Sequence, residues 1–125
     1  MSIVIPASGN LDQPTSLLLP NTAVNDVLTR AAASKDTTTV VGICIVNVDT
    51  VARLVTVWWT KDVTDYAIFQ QSVPASSTVT VALDAPLKLF AKVTARKIKA
   101  QAAAANVVTV TVFSTSSQQQ AENAG

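Results

Sequence analysis

The stretch "NVVTVTVF", residues 106–113, alternates valine with threonine. Neighbouring residues of a β-strand point to opposite faces, so Val108, Val110 and Val112 share one face and the threonines occupy the other. This period of two is typical of a half-buried antiparallel strand. The stretch therefore predicts a strand that turns one face towards a hydrophobic core.

Similar runs precede it, and polar turns such as "SKDT" and "VPASS" separate them. The runs recur every 8 to 14 residues or so, which is typical of a sandwich or barrel. One run, "AQAAAAN", has a short helix as its alternative because alanine has the highest helix propensity. We predict an all-β fold, an antiparallel β-sandwich or jelly-roll-like barrel of about 7–8 strands. The predicted strands span residues 26–33, 38–48, 51–60, 65–72, 78–84, 93–101 and 106–113.

The two ends of the chain differ from this pattern. Residues 1–25 hold three of the five prolines, Pro6, Pro14 and Pro20, together with the apolar clusters "IVI" and "SLLLP". Proline removes a backbone donor and discourages regular pairing. We therefore expect residues 1–25 to form an extended N-terminal arm that docks on another surface. Residues 26–114 would form the sandwich domain, and residues 115–125 a polar C-terminal tail.

The composition argues against catalysis. The 125 residues include no histidine, three glycines and one cysteine, and the net charge is +1. Cys44 lies in the apolar run "VVGICIV", which predicts a buried and inert thiol rather than a nucleophile. Asp62 and Asp65 stand three apart in a predicted loop and could in principle pair for glycoside hydrolysis. Turn residues between two strands are the stronger interpretation. We predict a non-enzymatic protein with no cofactor and no metal site, and we see neither a secretory signal nor a membrane span.

The stretch "RLVTVWWTK", Arg53 to Lys61, carries two adjacent tryptophans, and only one of them can face the core. Trp59 shares its face with two valines, so we assign Trp59 to the core and Trp58 to the outer face. An outward tryptophan is a favoured interface anchor. The alternative is that Trp58 is half covered by the arm of its own chain, through Leu17, Leu18 and Leu19.

Over half of the basic charge lies in one segment, in which Lys88, Lys92, Arg96, Lys97 and Lys99 fall within twelve residues. Such a stripe can meet an acidic protein surface or phosphate. Alternatively, lysines on an edge strand block unwanted pairing. Nucleic acid is the least favoured partner. Proteins that bind single strands stack the bases on aromatic side chains, and Phe90 is the only aromatic residue among these basic residues. Candidate interface residues are therefore Trp58, Leu17, Leu18, Leu19, Lys92, Arg96, Lys97 and Lys99.

Residues 27–113 resemble a group of small all-β virion proteins of tailed bacteriophages. The resemblance lies in the ordered series "TTVVGICIVNVDTVARLVTVWW", "YAIFQQSVPASSTVTVALDAPLKL" and "KIKAQAAAANVVTVTV". In such proteins a strand ends in an Asn turn, a "VPA" turn leads into a T-V-x-L strand, and an "A-A-N" turn leads into the last strand. The chain departs from the group at "KVTARK", where a glycine-acidic turn is usual.

The resemblance implies a structural protein of the virion, most simply a capsid decoration (cement) protein that binds and stabilises the phage head shell. Its partner would be the major capsid protein or another virion protein, with self-association, a trimer being the first expectation. It would reside in the virion, after assembly in the host cytoplasm, without contact to a membrane. The alternatives are a tail or baseplate accessory protein that contacts the host, and a carbohydrate-binding module that uses Trp58 and Tyr66.

Overall fold

The computed structural model describes residues 12–30, 36–61, 64–83, 85–89 and 95–118. These residues form strands and turns and no helix, so none of them belongs to a helix able to cross a membrane. The strands are β1 (Thr15–Leu18), β2 (Asn25–Arg30), β3 (Asp36–Asn47), β4 (Arg53–Lys61), β5 (Thr64–Val73), β6 (Ser77–Val81), β7 (Leu87–Leu89), β8 (Arg96–Ala102) and β9 (Val108–Gln118).

The strands form two sheets that pack face to face. One has five strands in the order β1-β9-β3-β6, with β7 also paired to β3; the other has four in the order β2-β8-β4-β5. All pairs are antiparallel. The edge strands β1 and β2 lie on one side of this sandwich, and β5 and β6 lie on the other. The predicted all-β sandwich is confirmed.

The core is almost entirely aliphatic and comes from alternate residues of both sheets. Val108, Val110 and Val112 of β9 are fully buried, and Val55 and Val57 of β4 face them from the second sheet. Burial of each such side chain contributes about 1.5–3 kcal/mol relative to exposure. The valine-threonine alternation therefore places the core where the sequence predicted it.

Two strands were not predicted, and β9 extends well beyond its predicted end. β1 pairs with β9, and Leu17 and the fully buried Leu19 reach the core from it. β7 has three residues and pairs only with β3 among the described strands. β9 continues to Gln118, beyond the predicted end at residue 113.

The helix alternative for "AQAAAAN" is wrong. Ala100 and Ala102 are buried in β8, opposite Val57 and Val55 of β4. Beyond them the chain turns at Asn106, which has a φ of 60°. Asparagine tolerates this left-handed conformation better than most residues. Sheet pairing and burial of the small alanine side chains therefore override helix propensity.

The predicted arm and tail both contribute to the sandwich. The N–H of Leu19 donates to the carbonyl of Val108 at 2.9 Å, and the N–H of Asn106 donates to the carbonyl of Leu19 at 2.8 Å. Residues 115–118 belong to β9, so strands extend across the predicted boundary at residue 114. Residues 1–11 and 119–125 lie outside the described residues. Docking of the arm on another chain stays a prediction.

Candidate interaction surface

The outer face of the four-stranded sheet is centred on Trp58. Trp59 packs against the core and donates from Nε1 to the carbonyl of Lys88 at 3.0 Å. Trp58, one residue earlier, points outward, lies opposite Lys99 of β8 and Ala67 of β5, and is half-buried. The predicted facing of the two tryptophans is thereby confirmed.

Ion pairs and hydrogen bonds surround Trp58 on this face. Lys99 Nζ lies 2.7 Å from Asp65 Oδ2, and Lys97 Nζ lies 2.8 Å from Asp26 Oδ2. Thr60 donates from Oγ1 to the other carboxylate oxygen of Asp65 at 2.6 Å. Because these lysines have partners, the face carries balanced charge rather than a basic stripe. We call it the Trp58 face, and it comprises Asp26, Leu54, Thr56, Trp58, Thr60, Asp65, Ala67, Gln70, Lys97 and Lys99.

The pKa of Asp65 reflects this network. The hydrogen bond from Lys99 holds the pKa below its ordinary value of 3.8, and the hydrogen bond from Thr60 lowers it further, while burial opposes both effects. Both donors favour the ionised carboxylate. Asp65 is therefore an anchored anion at neutral pH and is not placed as a proton donor or acceptor for catalysis.

The predicted basic segment is divided between two environments. Arg96 shares the inward face of β8 with Ile98 and Ala100 and is only 8% exposed, so it is not part of the outer surface. Lys97 and Lys99 point outward, and Lys92 lies outside the described residues. β8 lies between β2 and β4, so the alternative that lysines protect an edge strand is wrong for Lys97 and Lys99. Lys88, in contrast, lies exposed on β7, which pairs only with β3 among the described strands.

Leu17, Leu18 and Leu19 lie on the five-stranded sheet, away from Trp58. Leu17 packs against the core, Leu19 is fully buried, and Leu18 faces outward beside Thr109 of β9. The core separates these leucines from the Trp58 face. The alternative in which they cover Trp58 is therefore wrong, and among the three only Leu18 is exposed for contact with another molecule.

The outer face of the five-stranded sheet is nearly free of charge. Thr109, Thr111 and Phe113 of β9 point outward, and the hydroxyls of Ser16 and Thr111 lie 2.7 Å apart. Cys44 also faces this side and is half-buried, which makes it more accessible than the sequence predicted. Among the described strand residues that point outward here, Lys88 carries the only charge.

Two polar clusters that the sequence did not single out stabilise the two ends of the core. The fully buried Asn47 donates from Nδ2 to the carbonyls of Val51, Val73 and Pro74 at 3.1, 3.0 and 3.3 Å, and its Oδ1 accepts from the N–H of Asp49. One side chain therefore links the β3–β4 turn to the β5–β6 turn. The available signal was the sequence "NVDT", in which an asparagine at the end of a strand is followed two residues later by Asp49 and Thr50.

The second cluster ties the chain entering β1 to β9. Asp12 Oδ2 accepts from the hydroxyls of Ser114 and Ser116 at 3.0 and 2.7 Å. Next to it, Arg30 of β2 donates to Oγ1 of Thr38 through both Nε and Nη2, and from Nη2 to Ser116 at 3.3 Å. These bonds link the two sheets on the β1/β2 side.

The described residues contain no group of three or more histidine, cysteine, aspartate or glutamate side chains that could hold a metal ion. Asp62 lies outside the described residues, and Asp65 is engaged by Lys99 and Thr60.

The fold is similar to that of a chain in the acidic stable capsid structure of Helicobacter pylori bacteriophage KHP30. The TM-score is 0.54 at 13% sequence identity, and the match covers 92% of this chain and 91% of that chain. A chain of the IBDV viral particle is similar at a TM-score of 0.46 and 9% identity, over 89% of this chain but 31% of that chain. No protein-family model and no curated protein sequence matches this chain.

Proposed function

We propose that this chain is a non-enzymatic structural protein of a virion, and that it decorates and cements the capsid shell by binding the major capsid protein. The observation that carries the proposal is the fold shared with a chain of a bacteriophage capsid structure, over nine-tenths of both chains. The two chains have nearly the same length. The likeness therefore extends over most of both chains.

The Trp58 face has the anatomy of a protein-binding surface. Leu54 is 49% exposed on the same strand, and Ala67 lies exposed beside the half-buried indole. The Lys97–Asp26 and Lys99–Asp65 pairs lie around this apolar centre. Protein interfaces have an apolar centre and a polar rim, and the centre often contains a tryptophan that contributes much of the binding energy. We therefore assign the shell contact to this face.

To cement a shell, a protein must bury enough surface in each contact and must make that contact many times. Stable protein interfaces bury about 1,200–2,000 Å² in total. A decoration protein makes the same contact many times on a symmetric shell, so contacts of modest individual affinity add up when copies are linked to one another. The Trp58 face supplies such a contact area on each copy.

A tail or baseplate location would use the same module and the same contacts, and the particle fraction in which the chain is found separates the two locations. The carbohydrate-binding alternative has less support. Trp58 points outward, whereas Tyr66 lies opposite Trp59 and so belongs to the other face of the sheet. The two rings do not form one platform on which a sugar could stack.

The test is co-sedimentation of the chain with empty heads assembled from the shell protein of the same phage. We expect stoichiometric binding, and we expect Trp58→Ala to weaken it about 30-fold, as is typical of a hot-spot tryptophan. Phe113→Ala, at a 39% exposed aromatic on the opposite face, is the matched control and should bind normally. Recovery with tails only, or with no particle, would contradict the proposal.

A further inference from the structure

The two open sides of the sandwich differ in how their edge strands are protected against pairing with another chain. On one side, β1 has four residues and lies between Pro14 and Pro20, while β2 carries Asp26 and Arg30 and a register shift. Short length, proline, charge and bulges all discourage the addition of a strand. This side is closed to a further strand.

The β5/β6 side lacks most of these devices. β5 is ten residues long with Asp65 as its only charge, and β6, "STVTV", has none. Each strand pairs on one side only among the described strands. β5 has one bulge, at Ile68, but this residue is partly buried against the core and adds an apolar wall rather than a charge.

A groove of about 430 Å³ runs between these two edges, lined by residues 67–71 of β5 and 79–82 of β6 and the loop that follows it. Phe69 and Val81 form its buried base, and Ile68 and Val79 are its partly buried walls. Gln71 shares the inward face of β5 with Phe69 and Val73, yet it is exposed because it points into the groove. The groove offers free backbone edges above an apolar floor.

We propose that this groove accepts an extended strand from a second copy of this chain, namely the segment containing Ile3, Val4 and Ile5. In an extended segment Ile3 and Ile5 point the same way, so both can enter the groove while the backbone pairs with a strand edge. The segment ends at Pro6, which cannot donate to a ladder. β-branched residues without charge suit both the apolar floor and the pairing.

The position of the arm favours a neighbouring copy over its own groove. Asp12 is held at Ser114 and Ser116 on the β1/β2 side, and β1 and β6 are separated by three strand spacings, about 14 Å. The eleven residues before Asp12 span at most about 36–40 Å. To reach its own groove, the arm would have to cross the sheet with no strand to pair with. A head-to-tail neighbour brings the two sides together directly.

This contact joins unlike surfaces of identical chains, so it repeats from copy to copy and forms a ring where the rotation between neighbours closes. Closure after three copies would give the predicted trimer. The inference does not depend on the proposed function, because the pairing occurs in solution whether or not a shell is present. A monomeric chain that still binds heads would overturn the inference alone, and a ring that binds no head would overturn the shell proposal alone.

The first test is sedimentation velocity of the full chain over a range of concentrations. We expect a closed oligomer that dissociates on dilution. Gln71→Lys places a charge in the groove and should weaken association at least about tenfold. Thr109→Lys adds the same charge to the outward face of β9, which lies between β1 and β3 and away from the groove, so this matched control should associate like the wild type. A wild-type chain that stays monomeric at about 100 μM, or two lysine variants that behave alike, would overturn the proposal.

The second test identifies the occupant. In a Cys44→Ser background, Ile5→Cys combined with Gln71→Cys should oxidise to covalent multimers on a non-reducing gel. The same Ile5→Cys with Ser72→Cys should remain monomeric, because residue 72 faces away from the groove. A cross-link confined to one chain, or the absence of any cross-link in the Gln71→Cys pair, would contradict pairing between copies.

Discussion

The two open sides of the sandwich are built in opposite ways. On the β1/β2 side, Asp12, Arg30 and Ser116 join the entering chain and both sheets through side-chain hydrogen bonds. On the β5/β6 side, the sheets are tied at one end by Asn47, and a groove separates the strands beyond it. Polar side chains therefore close the sandwich where the chain enters it, while the strands on the opposite side are separated by a groove.

The same contrast divides the outer faces. The Trp58 face has an apolar centre surrounded by ion pairs, whereas the opposite face consists mainly of threonine, serine and valine. In our account the Trp58 face meets the shell and the β5/β6 groove meets another copy. Each proposal can therefore be disrupted without affecting the other.

The largest effect should come from Asn47→Ala. The substitution leaves the carbonyl of Val73 without its buried donor and releases both turns that Asn47 joins. We expect the free energy of unfolding to fall by about 3 kcal/mol, measured by urea denaturation. Asn21→Ala, at an exposed asparagine that bonds within its own loop, should cost less than about 1 kcal/mol. Equal losses at both positions would show that Asn47 does not organise the β5/β6 end.

An intermediate effect should come from Asp12→Ala on the other side. It removes the acceptor of two hydroxyls and loosens the entry into β1, and we expect a loss of about 1–2 kcal/mol in the same assay. Asp26→Ala, which breaks an exposed ion pair with Lys97, should cost at most about 1 kcal/mol. A smaller loss for Asp12→Ala than for Asp26→Ala would contradict the idea that the β1/β2 side is closed by these bonds.

The smallest effect concerns pH and the Trp58 face. The pKa of Asp65 is lower in the folded chain than its ordinary value of 3.8, so its ion pair stabilises the fold fully above that value. That contribution is lost as the pH falls below 3.8 towards the folded pKa. Asp65→Asn should therefore flatten the acid limb of a plot of stability against pH and change stability at pH 7 by about 1 kcal/mol or less. An unchanged acid limb would show that the Lys99–Asp65 pair does not form in solution.

Much of the fold could be predicted from alternation alone. The valines of β9 and the facing of Trp58 and Trp59 follow directly from the period of two. Arg96 could also have been placed, since it has the same parity as Ile98 and Ala100 on β8. β1 and β7 were missed because they have four and three residues, and prolines flank the former. Strands this short are specified by their partners rather than by their own pattern.

The remaining features depend on contacts between residues far apart in the chain. Asn47 meets the carbonyl of Val73 across 26 positions, and Ser116 meets Asp12 across 104. The sequence pattern around either residue does not predict a hydrogen bond to a residue so far away in the chain. The groove likewise exists only because β5 and β6 end up as edges of different sheets on the same side. Side-chain spacing predicts which face a residue occupies, but it does not predict which strands become edges.

The most direct test of this difference between the β1/β2 and β5/β6 sides is hydrogen exchange of the wild-type chain at low and high concentration. In an edge strand, alternate amides point away from the sheet and exchange freely until another strand pairs with them. We predict that association protects amides of β5 or β6 and of residues 3–5, while β1 and β2 keep the same exchange rates. Protection that appears on β1 and β2 instead, or nowhere along the β5/β6 groove, would contradict the account.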